Sequence, residues 1–457
     1  MVVVSEGSAR RKGRTAFHLG LLFVPVCLVS RALEASTMLP IVMVVLDGAS
    51  DRPGSEATPL EAARTPNLDA FVKRGALGML HTVGKGIAPE SDAGVFSLLG
   101  YDPLETHLSR GVVEALGSGV DYRDGDLALR AGFATVVGDK LTDRRAGRNL
   151  STEEAMELGD ALNRELRLKE GIRFEFKPTV GHRAVAIFRA RSFRFSSNIS
   201  NFDPGYVRKG NISIAQPGKG PYEIPKSEAL DGTEEASRTA ALVNEFGFKT
   251  RQILDHHPAN EKRRREDKLP ANFVLMRDAG TAKPRVLAFG EKWGLRALMI
   301  ADLPAELGIG RLLGMSVAEL PPGTSQDDYR KRAELVLREA GKFDFVYVHL
   351  KGPDEPGHDG LFELKKRRIE EIDEGFFSVL NREKAVERMK LCVTCDHSTP
   401  WKEKGHSDDP VPFLLASGRV GADGSERFTE GQGTKGGLGM LERGSMLMER
   451  LRRMGSC

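Results

Sequence analysis

VTCDHSTPWKEKGH, Val393 to His406, is the stretch that decides the fold. The apolar run that leads into it, Leu391 to Cys395, reads as a short buried strand. It stops at an acid, an imidazole and a small hydroxyl residue, which is how a parallel sheet delivers polar groups to its carboxyl edge. Asp396 and His397 stand side by side there, and His406 offers a second imidazole nine residues on. Carboxylate oxygen and neutral imidazole nitrogen are the usual donors to a borderline divalent cation. The alternative for such a polar loop is a surface acid and a capping histidine.

Working outward, two more strands end in the same way. Ile41 to Leu46, IVMVVL, runs into Asp47-Gly48, and Phe343 to Leu350, FDFVYVHL, runs into KGPDEPGH with Asp354 and His358. The i, i+4 spacing of Asp354 and His358 brings both side chains to one side of a turn. An open α/β sheet gathers the carboxyl ends of its strands into one crevice, so residues hundreds of positions apart converge. The set is Asp47, Asp354, His358, Asp396, His397 and His406, enough donors for two ions. Paired cations that clamp attacking and leaving oxygens are expected to serve phosphoryl or sulfuryl transfer.

Length and composition bound the rest. A chain of 457 residues exceeds one ordinary core, so two or three domains are expected. Sixty-seven basic against 64 acidic residues give a net +3, which carries no sign of a nucleic-acid partner. The basic runs Lys262 to Arg265 and Lys365 to Arg368 read as solvated helix faces. Four cysteines do not make a disulfide framework, and Cys392 and Cys395 lie inside a strand, which argues against a redox pair. Residues 1–37 hold RRKGR, the eleven-residue apolar LGLLFVPVCLV and then ALEAS. This is signal-like but too short to span a membrane, and it is read as a non-structural extension before Met38.

From Met38 onward an α/β pattern begins. Thr65 and Pro66 open a helix expected to stop before Gly75. In PESDAGVFSLLGYDP, Ser91 falls at the start of a helix, where free amides and the dipole favour a phosphate. A hydroxyl placed there beside a cation can become a nucleophile, and its alternative is a plain N-cap. Asn201 to Pro225 reads as a Gly/Pro-rich loop. Leu361, Leu364, Ile372, Phe376 and Val379 read as one stripe of a long helix, and a last helix is expected over about Gly437 to Arg453. GQGTKG from Gly431 fits GxGxxG, but no strand precedes it, so the dinucleotide reading fails its context.

VMVVLDGASDRP, TPNLDAF, PESDAGVFSLLGYDP, HPANEKRR, KGPDEPGHDG and DHSTPWKEKGHSDDPVPFLL together resemble the archaeal-type cofactor-independent phosphoglycerate mutases, of the alkaline phosphatase superfamily. The match runs in order from about Leu39 to the C-terminus. It implies an α/β fold, an alkaline-phosphatase-like three-layer sandwich with a mostly parallel central sheet, interrupted by an inserted α+β domain. The implied division is 38–120 and 285–457 for the metal-binding domain and 121–284 for the insert.

By the same resemblance Asp354, His358 and His406 hold one metal, and Asp47, Ser91, Asp396 and His397 hold the other. Ser91 is the residue phosphorylated as 3-phosphoglycerate and 2-phosphoglycerate interconvert without bisphosphoglycerate. The two ions are expected among Mn2+, Mg2+, Co2+ and Zn2+. One departure is Glu90, where the family commonly has a small residue; a carboxylate there disfavours a phosphoserine.

A phosphorylated acid calls for forked cations, and the insert supplies Arg144, Arg145, Arg148, His182, Arg183 and Arg277, with Lys292 beyond it. The expected partner is a small molecule, with no nucleic acid or membrane. The expected location is cytoplasmic, and a homo-oligomer is compatible. A phosphohydrolase or another phosphotransferase of the superfamily would use the same seven residues, and a non-catalytic metal scaffold is the rival from another class.

Overall fold

The computed structural model describes residues 39–54, 56–106, 108–209, 212–215 and 220–453, so the expected extension over 1–37 lies outside the described residues. β1 (Ile41–Leu46) and β2 (Gly75–Leu80) come first. There follow β3 (Leu127–Val137), β4 (Lys140–Asp143), β5 (Arg173–Pro178), β6 (Arg183–Arg189), β7 (Tyr206–Lys209), β8 (Ile212–Ala215), β9 (Tyr222–Glu223) and β10 (Phe273–Gly280). The chain then returns with β11 (Ala297–Ala301), β12 (Ser316–Glu319), β13 (Phe345–Leu350), β14 (Lys390–Thr394), β15 (Val411–Ala416) and β16 (Gly439–Leu441).

Eight of these form one sheet in the order β12-β11-β13-β1-β14-β15-β2-β16. From β12 to β14 every neighbour is parallel, and only β15 runs against its two partners. Every residue of β1, β13 and β14 is buried. Apolar side chains predominate in these strands because a central parallel strand is covered on both faces, and each buried Val, Ile, Leu, Phe or Met contributes about 1.5–3 kcal/mol. The register sets Leu46 beside Leu350 and Val45 beside Thr394, so the three strands end level and their following loops meet. The fold is thus the α/β class expected, with a large and mostly parallel sheet.

A second sheet, in the order β5-β6-β3-β4-β9 with β10 on the free side of β3, has its own core, including Phe133, Phe176, Phe188, Phe246 and Phe273. The helix Thr152–Glu165, closed by a capping box of Ser151 and Glu154, and the helix Glu234–Leu254 complete that core. Among the described residues no helix is long and apolar enough to cross a membrane.

The helix opened by Thr65 and Pro66 stops at Val72, before Gly75 as expected, and Gly75 begins β2. Several other local expectations change. Within Asn201 to Pro225 the expected loop contains the hairpin β7-β8 and the short β9. The stripe from Leu361 to Val379 is broken by a π-turn at Asp373–Phe377, and Leu361 is exposed. Among the described residues the last elements are β16, a 3-10 turn at Gly444–Met446 and a helix over Leu447–Arg453, where one longer helix was expected. The basic runs are not wholly solvated. Lys365 and Arg263 are fully buried, each satisfied by several oxygens, which local charge pattern cannot reveal.

Candidate active site

Asp47 follows β1, Asp396 and His397 follow β14, and Asp354 and His358 lie on the helix Asp354–Asp359 just past β13. His406 arrives on the loop after β14. Two clusters result: Asp354, His358 and His406, and Asp47, Asp396 and His397. Ser91 is the first residue of the helix Ser91–Leu98, with Glu90 at the cap position, so the N-cap alternative for Ser91 does not hold. Gly94 in that helix lies so close to the β14 loop that a Cβ would stand 2.4 Å from the Asp396 carbonyl oxygen. This glycine brings Ser91 against the second cluster, where its Oγ is 3.1 Å from His397 Nε2.

Hydrogen bonds fix the imidazoles. His406 Nδ1 is 2.7 Å from the Pro89 carbonyl and His358 Nδ1 is 3.2 Å from the Lys404 carbonyl. A carbonyl accepts only, so both Nδ1 atoms carry hydrogen, and in the neutral ring Nε2 is the atom left to bind a cation. Those two Nε2 atoms are 3.1 Å apart, and each is 3.5 Å from Asp354 Oδ1. Donors about 2.1 Å from one zinc-like ion sit roughly 3–3.5 Å from one another, so the triangle has the size of a cation's donor face. In the second cluster His397 Nε2 is 3.5 Å from Asp47 Oδ1 and 3.3 Å from Asp396 Oδ2. Both of these oxygens are buried without a hydrogen-bond partner, a costly arrangement for anions unless a cation is held there. The donor sets therefore fit divalent ions.

The electrostatics are those of a dense charge cluster. Burial raises the Asp47 carboxyl, but Lys351, His349 and His397 outweigh it and hold it well below the usual range. Burial pulls the His406 imidazole down, yet Asp354 and Glu90 prevail and push it up to about 10. A cation entering that cluster must displace a proton. Glu90 is held at about 2: burial opposes ionisation, but His406, Arg110, Arg277 and Arg130 overcome it. Arg110 donates to Glu90 over 2.9 Å. The expected penalty of Glu90 on a phosphoserine is thus offset by a neighbouring cation.

Above the clusters opens a cavity of about 550 Å³, walled on one side by Asp47, Ser91, Asp354 and His358 and on the other by residues of the second sheet. Arg144, Arg145, Arg148, His182, Arg183 and Arg277 all line it. Some are already engaged. Arg144 makes a bidentate pair with Asp203 at 2.7 and 2.8 Å, and Arg277 lies 3.5 Å over the Tyr206 ring and pairs with Asp278 and Asp203. Arg148 reaches Asp359, next to His358, over 2.9 Å. Burial, with Arg183 and Arg145 beside it, pushes His182 down to about 3, so it is neutral among arginines. Lys292 is not in the cavity wall: it bonds the Gly100 carbonyl and sits over the Tyr101 ring.

Sequence reasoning missed Arg110, Arg130, Lys351 and Glu306, which also line the cavity. Arg130 was detectable, since an arginine in the middle of the apolar strand LALRAGFATVV needs a reason to be there. Burial, and after it the nearby Arg110, depress its guanidinium to about 10.

Fold and donor set define the class: an α/β protein that gathers two acid–histidine clusters and a serine at the carboxyl edge of a mostly parallel sheet. A family model described as 2,3-bisphosphoglycerate-independent phosphoglycerate mutase matches residues 72–260. The protein of that name from Aeropyrum pernix is 42% identical over 412 residues, 88% of this chain and 96% of its own length. That from Pyrococcus abyssi is 38% identical, covering 88% and 94%. The solved cofactor-independent phosphoglycerate mutase of Thermoplasma acidophilum is similar at 31% identity with a TM-score of 0.59, over 92% of this chain and all of that one, 100%. The chain belongs to the 2,3-bisphosphoglycerate-independent phosphoglycerate mutase family.

Proposed function

We propose that this chain interconverts 3-phosphoglycerate and 2-phosphoglycerate through a phosphoserine at Ser91. The observation that supports it most is the placing of Ser91, at a helix N-terminus with its Oγ 3.1 Å from His397 Nε2, on the floor of a cavity whose facing wall is rich in arginine. Asp354, His358 and His406 would hold one divalent ion, and Asp47, Ser91, Asp396 and His397 the other. When bound, the ions would lower the hydroxyl's pKa and balance charge on the attacking and leaving oxygens.

The chain's own residues do the rest. The substrate phosphate lies against the Ser91 helix start, while its carboxylate meets the arginines of the second sheet. The Ser91 oxygen gives up its proton and attacks phosphorus in line, the bond to the 3-oxygen breaks and that oxygen takes up a proton, and glycerate stays held by the arginines. After glycerate turns, its 2-hydroxyl gives up its proton and attacks the phosphoserine phosphorus, the bond to the Ser91 oxygen breaks, and Ser91 takes a proton back. Water must be kept out in that interval, so residues 121–284 act in this reading as a lid domain inserted between 38–120 and 285–457. The reading carries with it a free small-molecule substrate, a cytoplasmic site of action, and Mn2+, Mg2+, Co2+ and Zn2+ as the ions to try.

A paired assay of 2-phosphoglycerate and inorganic phosphate, with 3-phosphoglycerate and each metal in turn, tests it. The expected main product is 2-phosphoglycerate. Inorganic phosphate as the main product with every metal would replace the mutase by a phosphohydrolase.

A further inference from the structure

We propose that Thr399 is the positioning residue that ties the two ligand clusters into one unit, its hydroxyl taking the His397 Nδ1 hydrogen and giving its own to Asp354. The proposal rests on the reading of those clusters as metal ligands. Thr399 is fully buried, and its Oγ1 lies 2.8 Å from Asp354 Oδ1 and 2.9 Å from His397 Nδ1.

A proton count settles the direction. A threonine hydroxyl has one hydrogen, and the ionised Asp354 can only accept, so Thr399 donates to Asp354. Its oxygen must then accept from His397, which places the imidazole hydrogen on Nδ1. In the neutral ring Nε2 then keeps its free pair for a cation between Asp47, Asp396 and Ser91, and can accept from the Ser91 hydroxyl. A single chain of donors thus runs Ser91, His397, Thr399, Asp354, from the nucleophile in one cluster to a ligand of the other.

His358 and His406 need no such device, because carbonyls accept from their Nδ1 atoms. Thr399 can point its hydrogen either way, and were it to donate to His397, the ring would carry its hydrogen on Nε2 and could not bind a cation. Asp354 prevents this, and so one cluster controls the other.

The surroundings hold Thr399 in place. Its amide donates to the Ser50 carbonyl at 3.0 Å, and its carbonyl accepts from the buried Lys365 ammonium at 2.7 Å. Gly48, at φ +57, makes room: a Cβ there would stand 2.6 Å from Thr399 Oγ1 and 2.7 Å from Asp354 Oδ1.

Two measurements without substrate test the proposal, so they stand or fall separately from the mutase reading. Titration of metal-free protein with Mn2+ alone should show Thr399→Val binding about 10- to 100-fold more weakly than wild type, with Thr399→Ser within about threefold. A Val variant that melts like wild type and binds two Mn2+ with unchanged affinity would overturn the role. The second measurement uses wild type only: nitrogen NMR of metal-free, histidine-labelled protein, with His397 assigned through His397→Gln. It should find a hydrogen on His397 Nδ1, and an Nδ1 without hydrogen would overturn the proposal even if the Val variant does not fold.

Discussion

At the carboxyl edge of the large sheet the polar groups come from residues next to strand ends. Asp47, Asp396 and His397 are buried and Asp354, His358 and His406 half-buried, and in the buried cluster one oxygen each of Asp47 and Asp396 has no partner. On the second sheet the cations come from within β3 and β10, the start of β6 and the turn after β4, and several are already paired with acids of their own layer. The first region is built to hold charge that arrives from outside, whereas the second holds itself together and keeps positive charge in reserve. Chemistry is therefore expected to collapse when the edge is altered, and to shift in degree when the arginines are.

The sharpest break is Ser91→Ala. Activity should fall by about 10^4-fold or more, as when a nucleophile that works as a unit with its partners is removed. The cost to the fold should be small, because Glu90 and not Ser91 holds the cap position. Steady-state turnover together with a thermal melt checks both halves. Mutase activity within tenfold of wild type would end the phosphoserine mechanism and with it the contrast between the regions.

Arg130→Ala probes the other side. Its Nε is 3.4 Å from Glu114 Oε1, a long contact that leaves the guanidinium available to a ligand. A charge-assisted bond contributes about 1.5–3 kcal/mol, so kcat/KM should drop about 10- to 100-fold, with a larger share of inorganic phosphate as glycerate escapes early. The same paired product assay reads it. An unchanged kcat/KM and product ratio would leave Arg130 as a structural partner of Glu114 and move the substrate's carboxylate to other arginines.

The two regions were also unequally legible in the sequence. Asp47, Asp354, Asp396 and His397 could be placed because strand and ligand are contiguous, so a local apolar run predicts where the side chain arrives. His406 and Ser91 needed only a loop and a helix start. The arginines carry no such signal. Whether Arg144 is free or bound depends on Asp203, 59 residues away, and whether Arg148 reaches a substrate depends on Asp359, 211 residues away. Lys365 is the extreme case. Its run KKRR looks like a wet helix face, yet its ammonium bonds Ser50, Asp51 and Thr399 beneath the ligand loops.

A smaller effect, and one of stability, is expected from Glu430, which accepts from the Asp51 amide and the Thr58 hydroxyl below the same loops. Burial pushes its carboxyl up to about 7 from the ordinary 4.5. The folded protein then holds this proton more tightly than the unfolded chain. The resulting stability is full below the unfolded value and is lost as pH rises through the folded one. Between pH 4.5 and about 7, as set by those two values, wild type should lose up to about 3 kcal/mol relative to Glu430→Gln. Denaturant melts of both proteins across that range show it. A difference that does not vary with pH would mean that Lys365 keeps Glu430 ionised.

The smallest effect belongs to Lys292, which separates sequence expectation from structure most cleanly. As a substrate ligand it would leave a charge-sized gap on truncation, with kcat/KM down tenfold or more. The structure instead aims its ammonium at the Gly100 carbonyl, 4.3 Å from the Tyr101 ring centroid, away from the cavity wall. A half-buried cation over an aromatic face contributes about 0.5–1 kcal/mol. Lys292→Ala should accordingly lower stability by about that amount and leave kcat/KM within about threefold, since nothing in the reacting region loses a partner. Kinetics and a melt on one preparation decide between the two. A tenfold fall in kcat/KM with an unchanged melt would bring Lys292 to the substrate after all, through a movement that swings the helix Phe289–Trp293 toward the clusters.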